Sequence, residues 1–184
     1  MNVEIIAGSP REGSVTHGVA LYLQKYFEQK HYNCNIGLID AREWNLPPQQ
    51  TVFNSIDNTP LAFKALSERM FAADAFILVS PEYNGSYTPL LKTVLDYYPK
   101  QSRKAFGIVS TSRGAFGGIR AAIQMQTLAL AIFGIVSPQM LVVPQLHQKF
   151  DSSGNLIDGA YEKNVHDFAT EFIWLAERLA KHER

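Results

Sequence analysis

Ala75-Phe76-Ile77-Leu78-Val79 is an unbroken apolar run, and it passes at once into Ser80-Pro81-Glu82-Tyr83-Asn84-Gly85-Ser86-Tyr87-Thr88-Pro89. A short run with no polar alternation, closed by turn residues, reads as a strand covered on both faces, the mark of a parallel sheet between two helical layers. The chain on either side agrees. Upstream, Leu61 to Ala72 has Leu61, Ala65, Leu66 and Met70 at helical spacing, preceded by a polar loop rich in Pro and Asn from Asn45 to Pro60. Downstream, Thr88 to Tyr98 reads as helix, Ala105 to Val109 as strand, Gly118 to Phe133 as helix and Met140 to Val143 as strand. At the ends lie a strand at Val3 to Ala7, a helix from Ser14 to Gln29, a strand at Asn35 to Asp40, and a last amphipathic helix from about Tyr161 to Lys181. Strands alternating with helices need right-handed crossovers, so the pattern predicts a five-stranded parallel sheet with helices on both faces. No repeat or linker divides the chain, and residues 1–184 are expected to form one domain.

Ligands of such sheets bind beyond the carboxyl ends of the strands. After the first strand comes Gly8-Ser9-Pro10-Arg11-Glu12-Gly13-Ser14-Val15-Thr16, a small, hydroxyl-rich turn entering a helix. The free N–H groups and dipole of a helix N-terminus favour an anion, and the hydroxyls and Arg11 supply further donors. Ser14 or Thr16 could instead simply cap the helix. A Walker loop would place Lys after its second Gly, and here Gly13 is followed by Ser14 and Val15. The dinucleotide fingerprint wants three spaced glycines where only Gly8 and Gly13 stand, so Asp40 reads as a loop cap and not as a ribose ligand. A phosphate monoester fits this loop better than a pyrophosphate. After the fourth strand, Ser110-Thr111-Ser112-Arg113-Gly114-Ala115-Phe116-Gly117-Gly118 is a glycine-rich corner suited to close approach of backbone to a ligand.

Composition excludes several classes. Lys+Arg and Asp+Glu both number 17, with no basic run, which argues against nucleic acid. The longest apolar stretch, Thr127 to Val136, is far short of the ~20 residues of a membrane span. One cysteine, Cys34, permits no internal disulfide, and no secretory leader is read at Met1-Asn2-Val3-Glu4, so a cytoplasmic protein is expected. The histidines at 17, 31, 147, 166 and 182 show no metal-ligand spacing, and no metal is expected. No G-x-S-x-G nucleophile elbow is present.

The first loop, with Gly8-Ser9, Arg11 and Ser14, and the segment Pro81-Glu82-Tyr83-Asn84 followed by Ser86, Pro89, Leu91 and Lys92 resemble the NADPH-dependent FMN reductase family. The likeness runs through the whole order of elements. It implies a flavodoxin-like sheet of order 2-1-3-4-5, FMN as cofactor and NADPH or NADH as electron donor. By resemblance Ser9, Arg11, Ser14 and Thr16 hold the FMN phosphate, with Val15 beside them. Pro81, Glu82, Tyr83, Asn84 and Gly85 line the isoalloxazine ring, and Ser112, Arg113, Gly114 and Gly117 form the other wall. Thr16 stands where many relatives carry Asn; both can donate to phosphate. Glu82 reads equally as an exposed loop acid, and Arg113 as a solvated charge. No side chain is expected to be an indispensable acid or base.

The resemblance implies a ping-pong oxidoreductase reducing flavin, quinone, azo compound or metal oxyanion. The alternative is a flavodoxin-type electron carrier, although flavodoxins are usually strongly acidic with a Thr-rich phosphate loop. Helices 88–98 and 118–133 are apolar on more than one side, and a helix apolar all round must be buried all round. A homodimer or homotetramer through these two helices is therefore expected, with the 45–60 loop as a lid near the site.

Overall fold

The computed structural model describes residues 1–30 and 32–180. His31, His182 and the Lys181 end of the expected last helix lie outside the described residues.

The strands are β1 (Asn2–Ala7), β2 (Asn35–Asp40), β3 (Ala75–Pro81), β4 (Ala105–Thr111), β5 (Ile135–Val136) and β6 (Leu141–Val143). The helices are α1 (Val15–Gln29), α2 (Lys64–Ala72), α3 (Pro89–Asp96), α4 (Ile119–Ala131), α5 (Leu146–Lys149) and α6 (Glu162–Ala180). All strand pairs are parallel, in the order β2-β1-β3-β4-β5, with β6 also on β4. The order implied by the family resemblance is the order found.

The expected fifth strand is split. β5 pairs with Ala105 and Phe106 at one end of β4, and β6 pairs with Val109 to Thr111 at the other. Between them Pro138 has no N–H to give to a ladder, so pairing stops after the Ser137 N–H bond to the Phe106 carbonyl (2.8 Å). The helix expected over 61–72 begins as a tight 3₁₀ turn, Leu61–Phe63, before α2 proper. The short α5 and a 3₁₀ turn at Ala41–Glu43 carry too few residues to show a period.

Alternation along each strand assigns its side chains to two cores. Ile5, Ala7, Ile77, Val79 and Val109 face α1 and α6, meeting Leu23, Phe27, Val165, Phe168 and Phe172. Ile6, Phe76, Leu78, Phe106 and Ile108 face α2, α3 and α4, meeting Leu66, Met70, Leu91, Val94, Met125 and Leu128. Phe172 is fully buried, and truncation to Ala there would cost about 3–5 kcal/mol. Glu4 breaks the alternation with a buried carboxylate. It faces Arg69 of α2, which donates to it through Nε (3.0 Å) and Nη2, and Gly37 on β2 leaves the room: a Cβ there would meet the carboxylate.

The two helices expected to be apolar all round part ways. Tyr97, at the end of α3, is buried by the chain itself: its ring lies 4.8 Å from that of Phe53, and its hydroxyl donates to the Pro47 carbonyl (2.8 Å). The 45–60 segment thus folds over α3, and the surplus read there is internal packing. On α4 the surplus remains outward, with Ile123 50 %, Leu130 61 % and nearby Phe133 63 % exposed. α6 cannot cover it, since α6 lies on the opposite face of the sheet.

Candidate active site

The carboxyl ends of β1, β3 and β4 converge on one cleft of about 390 Å³. β1 supplies the loop 8–16. Ser14 caps α1, accepting the His17 N–H (3.4 Å), while its hydroxyl donates to Ser9 Oγ (2.7 Å). The capping reading of Ser14 is therefore correct, and it aligns two hydroxyls at the start of α1 as well. Thr16 does not cap. Its Oγ1 is 2.7 Å from Thr111 Oγ1 in a buried pair that joins α1 to the end of β4. Arg11 lies exposed at the rim with its guanidinium 5.0 Å from the centre of the Tyr83 ring. Ser9, Arg11, Ser14, Val15 and Thr16 all line the cleft, together with Glu12 and Gly13.

β3 supplies Pro81, Glu82 and Tyr83, also on the cleft wall. Tyr83 and Ser86 exchange two main-chain hydrogen bonds (2.8 and 3.1 Å) around Asn84 and Gly85, whose φ values are 51° and 84°. Both central residues are left-handed, which is why Asn-Gly stands here. Asn84 and Gly85 thus shape the turn and do not line the cleft; Asn84 faces an adjoining groove on the far side of Tyr83. The Tyr83 hydroxyl is buried and has no hydrogen-bond partner among the described residues, which leaves it able to bond to a bound group. Glu82 is partly buried, with Arg120 of α4 at 3.7 Å. Thr88 fastens the two loops together: it caps α3 and donates through Oγ1 to the Gly8 carbonyl.

β4 supplies Thr111, Ser112 and Arg113 to the wall. Ser112 N–H donates to the Val143 carbonyl and its own carbonyl accepts from Leu146 N–H, so β6 and α5 hold this corner. The exposed Gly114 accepts from Gln145 N–H, and neither it nor the buried Gly117 lines the cleft. Gly117 has φ 60°, and a Cβ there would lie 2.6 Å from Val142 Cγ1 and 2.8 Å from Pro144 N. Its need for glycine comes from packing on β6. Leu146 and Thr111 are lining residues that sequence reasoning missed, the first because α5 is only four residues long, the second because the end of β4 was read as starting the loop.

Beside the anion loop, Asp40 caps the 3₁₀ turn by accepting the Arg42 N–H (3.0 Å), as a loop cap should. Burial disfavours its charge, but the Arg42 hydrogen bonds and nearby His17 outweigh that and hold its carboxyl below the usual range. His17 Nδ1 is 3.6 Å from Asp40 Oδ2, beyond hydrogen-bond reach. Burial lowers the His17 pKa more than Asp40 raises it, which favours the neutral imidazole.

With the site in place, the comparisons with known proteins decide the lineage. The NADPH-dependent FMN reductase family matches residues 1–148. The chain belongs to that family. The matched residues include all three loops around the cleft. Over the full sequence the chain is 32% identical to "Probable NADPH:quinone oxidoreductase 2" of Oryza sativa subsp. japonica, covering 97% of this chain and 90% of the other. It is 28% identical to the FMN-dependent NADPH-azoreductase of Staphylococcus aureus strain USA300, covering 92% of each. Among solved structures, the flavoenzyme FerB of Paracoccus denitrificans, an NAD(P)H:(acceptor) oxidoreductase, superposes with TM-score 0.79 at 23% identity over 96% of this chain and 97% of its own. A flavodoxin variant from Pseudomonas aeruginosa superposes with TM-score 0.58 at 20% identity over 94% and 99%. Both share the fold, and the flavodoxin-like sheet expected of the family is the one observed. Among the described residues no helix is long and apolar enough to cross a membrane.

Proposed function

We propose that this protein, acting as one domain in the cytoplasm, holds FMN and passes electrons from NADPH or NADH to a small-molecule acceptor: a quinone, an azo compound, a free flavin or a metal oxyanion. The observation that carries this reading is the convergence of a hydroxyl-and-arginine anion loop, an orphaned Tyr83 hydroxyl and a Ser112–Arg113 wall on one cleft, in a chain of this family. Ser9, Ser14 and Thr16 would hold the phosphate with Arg11, with Val15 beside them. Pro81, Glu82, Tyr83 and the Asn84-Gly85 turn would shape one side of the ring, and Ser112, Arg113, Gly114 and Gly117 the other.

FMN, when bound, supplies the hydride-accepting centre. The chain's part is to bind, orient and exclude water. Donor and acceptor would use the same cleft in turn, so ping-pong kinetics are expected, and intersecting lines with a demonstrable ternary complex would refute that order. The outward side of α4, with Ile123, Leu130 and Phe133 exposed, suits pairing with a second copy, as a homodimer or a homotetramer built from two. A yellow purified protein bleached by NADPH or NADH and recoloured by quinone would support the enzyme reading. A yellow protein inert to both nicotinamide cofactors would instead be an electron carrier, and a colourless one that takes up no FMN would end the proposal.

A further inference from the structure

Asp40 grips Arg42 more extensively than a turn cap requires. Its Oδ1 accepts from Arg42 N (3.0 Å) and Nε (2.9 Å), and its Oδ2 from Nε (3.1 Å) and Nη2 (2.5 Å). The cap uses only the first of these. The others seat the guanidinium fork edge-on against a carboxylate and leave one arm projecting, and that arm has a partner of its own. Arg42 Nη1 donates to the main-chain carbonyl of Arg11 at 3.0 Å, across 31 positions of sequence. The end of β2 is thereby tied to the middle of the anion loop.

The direction of that tie matters. A trans peptide is planar, with its C=O and N–H on opposite sides. With the Arg11 carbonyl turned toward Arg42, the N–H of Glu12 is turned away from it, and both Arg11 and Glu12 border the cleft. We propose that Arg42, seated by Asp40, is a positioning residue for the phosphate: it fixes the Arg11–Glu12 peptide so that the Glu12 N–H joins the hydroxyls as a donor. This rests on the FMN reading above. Arg42 does not act as the anion receptor, since Asp40 already neutralises it. Lys could not replace it, because one ammonium group on a flexible stem cannot hold the carboxylate in a bidentate fork and reach the carbonyl together.

The test is a pair of titrations, FMN and riboflavin, on apoprotein of the wild type and of Arg42→Gln, Arg42→Lys and Asp40→Asn, read by flavin fluorescence. Riboflavin has the ring without the phosphate. All three variants should bind FMN about tenfold to a hundredfold more weakly, the loss of one hydrogen bond to a charged group, and bind riboflavin nearly as the wild type does. Asp40→Asn serves where Arg42→Gln does not fold, because it removes the seat and keeps the arginine. Equal losses for both flavins would mean a merely structural tie and overturn the proposal, as would unchanged FMN affinity. Full FMN affinity in Arg42→Lys would show that charge, not the fork, is what matters, and would overturn it as well. Failure of the FMN reading shows separately, in a wild type that binds no FMN or does not prefer it to riboflavin.

Discussion

Replacing Thr16 by Val tests the join between the anion loop and the far wall of the cleft. Thr16 and Thr111 are 4% and 0% exposed, and their hydroxyls meet at 2.7 Å. Val keeps the shape of Thr and removes one hydroxyl, so Thr16→Val leaves Thr111 Oγ1 buried without that partner. An unpaired buried hydroxyl costs about 1–3 kcal/mol. For a chain of this length each kcal/mol moves Tm by about 2–4 °C, so a loss near 2 kcal/mol is a fall of about 4–8 °C. Thr111→Val should cost a similar amount for the same reason. The double variant replaces both hydroxyls by methyls and strands neither, so it should be nearly as stable as the wild type. Urea unfolding of the four apoproteins gives the coupling directly, expected at about 4 kcal/mol, because two losses near 2 kcal/mol each are absent from the double variant. Simple additivity of the two single losses would refute the idea that these hydroxyls satisfy one another. The double variant also separates stability from ligand binding: it should regain Tm and still bind FMN weakly, because the Thr16 hydroxyl is gone.

Arg11→Ala should weaken FMN strongly and riboflavin little, and equal losses would remove Arg11 from the phosphate. Gly117→Ala forces a Cβ against Val142 and Pro144 at a left-handed φ; it should lower stability by about 1–3 kcal/mol, measured by urea unfolding, and a neutral result would show that the corner yields. His17 has a folded pKa below its ordinary 6.5, so its contribution to stability is present above about pH 6.5 and is lost as pH falls through the folded value. Wild type should therefore lose stability more steeply from pH 7 to 5 than His17→Gln, and equal slopes would count against a buried neutral imidazole. On α4, Leu130→Glu should convert a species of at least twice the 20.6 kDa chain mass into monomers in sedimentation, with Tm of the monomer kept; a wild type already sedimenting as one chain would end the oligomer proposal.

The sheet was legible because strands such as Ala75 to Val79 are apolar on both faces, and only a covered parallel strand tolerates that. The cleft was legible because strand ends carry its loops, and Ser9, Arg11, Tyr83 and Ser112 stand there in sequence. What stayed hidden depends on distant pairing. The burial of Tyr97 under Phe53 and Pro47 joins residues 44 and 50 positions apart, so in sequence α3 looked in need of cover from a second copy. The Arg42 tie to the Arg11 carbonyl ends on main chain, and a carbonyl leaves no mark in residue type. Gly85 and Gly117 were visible as glycines, but their reasons, a left-handed turn and the nearness of β6, belong to the backbone around them.

The split at the end of the sheet bears on how the molecule behaves in a crowded solution. A free strand edge is a row of unpaired N–H and C=O groups on which another chain can add a strand, the first step toward fibrils. On this side the rim is β5, two residues long, then the exposed Pro138, then β6, three residues long. Neither piece is long enough to hold a visiting strand in register, and the proline interrupts any attempt to bridge them. The break that shortens the sheet thus guards the protein against templated aggregation, a service needed all the more in a chain whose net charge of zero supplies no mutual repulsion.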